Sequence, residues 1–209
     1  METLALQNSF LIAFIFIFAY FLIGAAVKFI DDAFDENTFP QAIAFTLSPL
    51  TAIFWAYIMI LHPASAMLLT AIIIGVIIKG KIDNLAFIVA VLCVYTAYFF
   101  MDPVAFSFVL LLPIPLILIT IAGIFDEIGN DWVDSKNVYH SYKPFGKYIH
   151  LFFEFRFVMK IVVLTFALLG FFPILFFFAF LAWDVGYAVV MLISKRLSTK
   201  RKFYYHKTA

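Results

Sequence analysis

From Ser9 to Ile30 the chain reads SFLIAFIFIFAYFLIGAAVKFI, with Lys28 its single charge. A run this long and this oily leaves few folds open. About 18 consecutive apolar residues are enough to cross a bilayer as a helix. In lipid every backbone polar group must be paired within its own segment, which selects helices. Further apolar runs follow, and the whole chain of 209 residues is 66% hydrophobic and 13% charged. A soluble domain is nearer about half apolar and about a quarter charged. The pattern predicts an all-α, polytopic transmembrane helix bundle of about seven spans. They fall at roughly 8–30, 41–61, 64–79, 85–101, 103–124, 148–169 and 171–194. The expected organisation is one helical domain over 1–194 and a basic cytoplasmic tail over 195–209. The first run is too long for a cleavable signal peptide and no basic residue precedes it. Cys93 is the one cysteine, so no internal disulfide can form.

Turn signals stand at His62-Pro63, Asp102-Pro103 and Gly170-Phe171-Phe172-Pro173. Pro113 and Pro115 lie inside the fifth expected span and should kink it. Seven spans put the loops after spans one, three and five on the same side as the tail. That side carries Lys79, Lys81, Lys136, Lys143, Lys147, Lys195, Arg196, Lys200, Arg201, Lys202 and Lys207. The opposite side carries no lysine or arginine. The positive-inside rule then places the N-terminus outside and the C-terminus in the cytoplasm. The expected location is the cell membrane.

Two acidic clusters fall on the cytoplasmic side, KFIDDAFDE at Lys28 to Glu36 and FDEIGNDWVD at Phe125 to Asp134. Asp31 and Asp35 are four apart, and Asp32 is three from Asp35 and four from Glu36. Such spacings stack carboxylates on one helix face. Asp126, Asn130 and Asp134 repeat at four-residue intervals, with Glu127 and Asp131 as a parallel pair. Stacked like charges repel, and divalent cations relieve the repulsion. Oxygen ligands without cysteine or histidine favour Mg²⁺. Mg²⁺ binds through one or two carboxylates plus substrate phosphates. The expected metal ligands are Asp31, Asp32, Asp35, Asp126, Asn130 and Asp134, with catalysis depending on Asp32 and Asp126. Lys79 and Lys81 are expected to neutralise a diphosphate as point charges. The competing interpretation is ordinary solvated acids, with Lys28 pairing Asp31 or Asp32.

This arrangement resembles the UbiA superfamily of intramembrane aromatic prenyltransferases. Asp31-Asp32-x-x-Asp35-Glu36 stands for the first aspartate-rich motif of that family. Asp126-x-x-x-Asn130-Asp131-x-x-Asp134 stands for the second, and Lys79-Gly80-Lys81 for the basic loop between them. The resemblance implies Mg²⁺ bridging the acids to a polyprenyl diphosphate, whose prenyl group passes to a small or lipid acceptor. It also implies helices around a cavity open to lipid. The pattern departs from the family in having seven spans instead of nine. Lys28 and Glu36 sit in the first motif, and Asn37-Thr38-Phe39-Pro40 replaces the Asn-Arg-Pro signature.

Four ionisable residues lie inside the last two expected spans: Glu154, Arg156, Lys160 and Asp184. Such groups are costly in lipid and face the bundle interior. Lys160 and Asp184 are each placed roughly 15 Å deep by helical rise, and a structural ion pair between them is expected. Arg156, one turn from Lys160, is a candidate diphosphate ligand, with Glu154 as its balance. Phe and other aromatics make up 20% of the chain, enough for some rings to line a cavity and shield a prenyl cation. The basic, aromatic tail reads as an anchor to anionic headgroups, and a nucleic-acid partner is not expected. Two alternatives remain: an ion or small-molecule transporter, and a non-catalytic subunit of a membrane complex with a protein partner.

Overall fold

A computed structural model describes residues 2–80, 82, 84–111, 113–136 and 145–208, with side chains over 10–80, 82, 84–111, 113–133 and 145–198. Nine α-helices make up the regular structure among the described residues. They are α1 (Glu2–Phe34), α2 (Gln41–Leu61), α3 (Pro63–Ile78), α4 (Leu85–Met101), α5 (Pro103–Leu110), α6 (Ile114–Lys136), α7 (Gly146–Glu154), α8 (Phe157–Leu168) and α9 (Leu175–Thr208). Three of them are long and apolar enough to cross a membrane: α1 over Phe10–Phe34, α2, and α9 over Leu175–Ser198. The pair α5 and α6 passes the same test as one bent span. The apolar helices α3, α4 and α8 are shorter, at 16, 17 and 12 residues. By length and composition this is a helical membrane protein.

Proline and capping side chains set many of the helix limits. His62 is the N-cap of α3: its Nδ1 accepts the Ala64 N–H at 3.1 Å, and Pro63 fills the first helical position. Asp102 does the same for α5, accepting from Ala105 N–H at 2.9 Å, with Pro103 behind it. Such caps satisfy donors that have no partner inside the helix and contribute about 1 kcal/mol each. After α8, Gly170 is left-handed (φ 80), and the Phe171 N–H returns to Phe166 C=O at 2.9 Å.

Two expected spans are interrupted. The span at 103–124 stops at Leu110 and restarts at Ile114, bent by 64°. Pro113 lacks an N–H and disfavours helix in the residue before it. Its helix then continues to Lys136, well beyond the expected end. The span at 148–169 splits into α7 and α8 around Arg156, whose backbone is left-handed (φ 49, ψ 52). Neither glycine nor proline marks that break.

The chain forms two compact units. The first comprises Met1–Ala56, Asn84–Ala97 and Phe178–Ala209; the second comprises Tyr57–Asp83 and Tyr98–Phe177. In the first, α1 and α9 touch backbone to backbone. A methyl group at Gly24 would strike the Trp183 carbonyl, and one at Gly186 would strike the Phe21 carbonyl. Close approach through small residues is how helices associate in lipid, where apolar side chains gain nothing by leaving the solvent. Gly24 and Gly186 meet at one crossing, where Gly24 touches Trp183, and four residues beyond that contact along both helices Lys28 lies over Tyr187; α2, which returns from the end of α1 with Ala44 beside Ala33, meets Trp183 at Trp55 and, just past its last residue, Phe176 at His62, in reverse order along α9. Contacts thus advance in the same direction along both helices, so α1 and α9 run parallel. Trp183 packs edge-on against Trp55 of α2 at 5.1 Å. Towards the end of α1, Ile30, Ala33, Ala44 and Ala86 form a buried cluster, flanked by Phe29 stacked on Phe39 at 4.4 Å. The Ser48 hydroxyl ties α2 to the start of α4 by donating to the Ala86 carbonyl at 2.6 Å.

In the second unit α3 is the most enclosed element, with every residue from Ala64 to Ala71 buried. It packs on α6, which also meets α7 and α8. The buried stripe of α6 runs through Leu116, Ile119, Ala122, Asp126 and Val133, the three- and four-residue steps of one helix face. A carboxylate therefore sits in the middle of an apolar stripe.

Candidate functional site

The first acidic cluster ends α1. Phe34 closes the helix, Asn37 is left-handed (φ 52), and the Thr38 N–H returns to the Asp32 carbonyl at 3.1 Å. The cluster divides by burial. Asp32 is 2% exposed, Asp31 is half-buried, and Asp35 and Glu36 are exposed. Lys28, one turn earlier, places its ammonium 2.7 Å from Asp31 Oδ2 and 2.8 Å from Asp32 Oδ1. The same ammonium lies 5.1 Å from the centre of the Tyr187 ring. The other oxygen of Asp32, Oδ2, is buried without a hydrogen-bond partner. The expected pairing of Lys28 with its neighbours is present, and it takes in both aspartates.

Because α1 and α9 are parallel, their C-terminal ends belong to the same end of the unit. Seven residues separate Lys28 from Asp35, and eight separate Tyr187 from Lys195. At 1.5 Å per residue each step is about 10 to 12 Å. Lys195 and Arg196, both exposed, thus stand at the level of Asp35 and Glu36. The final helix does not end at the expected tail boundary but continues through it to Thr208. Composition alone marked these two cations only as part of a membrane anchor. Helix register brings them to the level of the acids.

The second cluster is organised differently. Asp126 is fully buried, and each of its oxygens accepts a backbone N–H: Oδ1 from Val158 at 3.0 Å, Oδ2 from Met159 at 2.7 Å. Val158 and Met159 are the second and third residues of α8, whose first N–H groups have no partner within the helix. Asp126 thus caps α8 from another helix. Beside it, buried Glu127 receives two hydrogen bonds through Oε1, from Arg156 Nε at 3.0 Å and Nη2 at 2.8 Å. Arg156 is the residue that breaks the span. Lys160, 4% exposed, donates its ammonium to the Phe155 carbonyl. The break is held by three acceptors: two carboxylates of α6 and the carbonyl at the end of α7.

The remaining candidates are placed as follows. Lys79, at the end of α3, pairs with Asp131 of α6 at 2.8 Å. The basic position and the second cluster are thus joined through Asp131. Asn130 is half-buried on α6. Asp134 lies in the same helix with its side chain outside the described residues, and Lys81 lies outside them altogether. Glu154, expected to balance Arg156, instead lies 3.2 Å from His150 of its own helix. The expected pair Lys160 and Asp184 joins residues of different units. Among the described residues no three His, Cys, Asp or Glu side chains gather as a metal-holding group. What α1 offers is a close carboxylate pair, Asp31 and Asp32, with Asp35 one turn on.

Sequence inspection missed Glu127 as the partner of Arg156. Its position one residue after Asp126, on the edge of the α6 stripe, was the available signal. No protein-family model matches the chain, and no curated protein or solved structure matches it.

Proposed function

We propose that this chain is a membrane enzyme that moves a prenyl group from a polyprenyl diphosphate to a small or lipid acceptor, using Mg²⁺ at the end of α1. The observation that supports this reading most is Asp32. Its Oδ2 is buried with no donor, and a buried charged acceptor left unsatisfied costs at least about 1–3 kcal/mol. A hard cation that prefers oxygen ligands would satisfy it. The donor set also fits, because Mg²⁺ needs only one or two carboxylates when phosphates complete its shell. Asp31, Asp32 and Asp35 would hold the ion. When bound, it supplies Lewis-acid stabilisation of the leaving diphosphate. Lys195 and Arg196 at the same end of α9 would meet the outer phosphate oxygens. Asp126 has a positioning role in this reading, as the cap of α8. In this reading this end of α1 faces the cytoplasmic side of the cell membrane, which the positive charge of the loops supports.

The test is turnover of prenyl diphosphates of graded length by the purified chain in liposomes containing a lipid extract, with Mg²⁺ or EDTA. Mass spectrometry reads the product. Prenylated product with Mg²⁺, lost in EDTA and in Asp32→Asn, is expected. Turnover unaffected by Asp32→Asn would overturn the assignment, as would no product at any chain length.

A different observation favours passage of an ion or small solute. Broken helices carrying buried ionisable groups mark solute pathways in transporters, and the α7–α8 break with Asp126, Glu127, Arg156 and Lys160 has that form. Flux into proteoliposomes free of prenyl diphosphate, abolished by Glu127→Gln, would decide for it.

A further inference from the structure

We infer that Lys28 is the resident cation of the α1 carboxylate pair, an internal competitor that an incoming divalent ion must displace. The inference rests on the magnesium reading above and adds a positioning residue to it. Asp31 and Asp32 are neighbours in sequence, and their facing oxygens converge on one ammonium at 2.7 and 2.8 Å. An ammonium is a compact point charge whose three donors rotate freely. It neutralises one of the two carboxylate charges and leaves Asp32 Oδ2 without a donor. A divalent ion would neutralise both and take up that oxygen as well. The lysine is therefore a partial substitute for a metal, held three and four residues away on the same helix.

Displacement does not require Lys28 to enter lipid. Its ammonium is already 5.1 Å from the Tyr187 ring centre, within the range of a cation–π contact. A diphosphate arriving with the metal would give it new acceptors. Metal and diphosphate should then bind more tightly together than either does alone, because only the pair both fills the carboxylates and re-partners the lysine. A metal alone must expel a partly buried ammonium and supplies no anion to receive it.

The experiment is Mn²⁺ binding followed by electron paramagnetic resonance on the full chain in detergent micelles, with Mn²⁺ alone and with inorganic pyrophosphate. Wild type is compared with Lys28→Met, Lys28→Gln and Asp32→Asn. Removing the lysine charge beside two carboxylates should tighten Mn²⁺ alone at least about tenfold. It should also reduce the gain that pyrophosphate brings. Lys28→Gln keeps a polar side chain of similar length and guards against a misfolded Lys28→Met. The inference is overturned if both Lys28 variants bind Mn²⁺ no more tightly than wild type while Asp32→Asn weakens it. If Asp32→Asn leaves Mn²⁺ binding unchanged, the magnesium reading itself fails, and the lysine inference with it.

Discussion

Replacing Asp126 by alanine removes the acceptor of two backbone N–H groups at the start of α8. These groups precede the first intrahelical bond, which Lys160 N–H makes to Arg156 C=O at 3.4 Å. With Asp126 fully buried, no water replaces it. Hydrogen bonds to a charged group contribute about 1.5–3 kcal/mol each, so the loss is about 3–6 kcal/mol. Asparagine keeps one oxygen and turns an amide NH₂ toward the other donor, so Asp126→Asn should lose about half as much. For a chain of this size each kcal/mol moves the melting midpoint by about 2–4 °C. Asp126→Ala should therefore melt at least about 6 °C lower, followed by circular dichroism in detergent. The measurement separates a cap from a metal ligand when repeated in EDTA and in Mg²⁺. A cap loses the same stability in both, whereas a ligand loses it only where the metal is present. An Asp126→Ala protein that melts within about 1 °C of wild type in EDTA would refute the capping argument.

Other outcomes follow from the same contacts. Glu127→Gln leaves the Arg156 guanidinium without its carboxylate and should cost about 2–3 kcal/mol, below the usual range for a fully buried pair because Arg156 is partly exposed. The combined Glu127→Leu, Arg156→Met protein should recover more than half of that loss, and a double-mutant cycle of melting midpoints that shows simple additivity would contradict it. Gly24→Leu forces α1 from α9 and should cost at least about 1–3 kcal/mol, read as a lower midpoint, whereas Gly75→Ala, with nothing within 4 Å of the added carbon, should be nearly neutral. Burial holds the His62 imidazole below its ordinary pKa, and its Nδ1 must stay unprotonated to accept from Ala64. The cap's contribution of about 1 kcal/mol is thus present above the unfolded value and lost as pH falls through the lowered folded one. Against His62→Asn, which caps without titrating, wild type should lose relative stability on acidification, and parallel pH curves would exclude the effect. Lys195→Gln with Arg196→Gln should weaken prenyl diphosphate binding and flatten its salt dependence; unchanged affinity would remove those residues from the proposal.

What the sequence made legible is what short-range chemistry decides. The limits of α2 and α4 follow from apolar runs bounded by proline, asparagine and an N-cap, and the bend before α6 follows from a missing N–H at Pro113. The break at Arg156 could not be seen that way. A left-handed arginine is strained by about 1–3 kcal/mol, and no glycine or proline beside it marks the position. The side chains that hold the break include Glu127 and Asp126, which lie 29 residues before Arg156 and 32 before Val158, so its signal lies in α6 and not in its own neighbourhood. In the second cluster Asp126 continues the buried stripe of Leu116, Ile119 and Ala122, whereas Asp131 of the same cluster is exposed. Identical spacing serves a metal face and a buried face, and only the burial of the neighbouring turns distinguishes them. In the first cluster the buried face of the helix runs out after Ala33. Its helix ends within a turn of Asp32, Asp35 and Glu36 are exposed, and Asp32 keeps an oxygen that no donor reaches. The two clusters, alike in composition, therefore part by what each carboxylate lacks: Asp126 has both oxygens filled by backbone, and Asp32 has one still to fill.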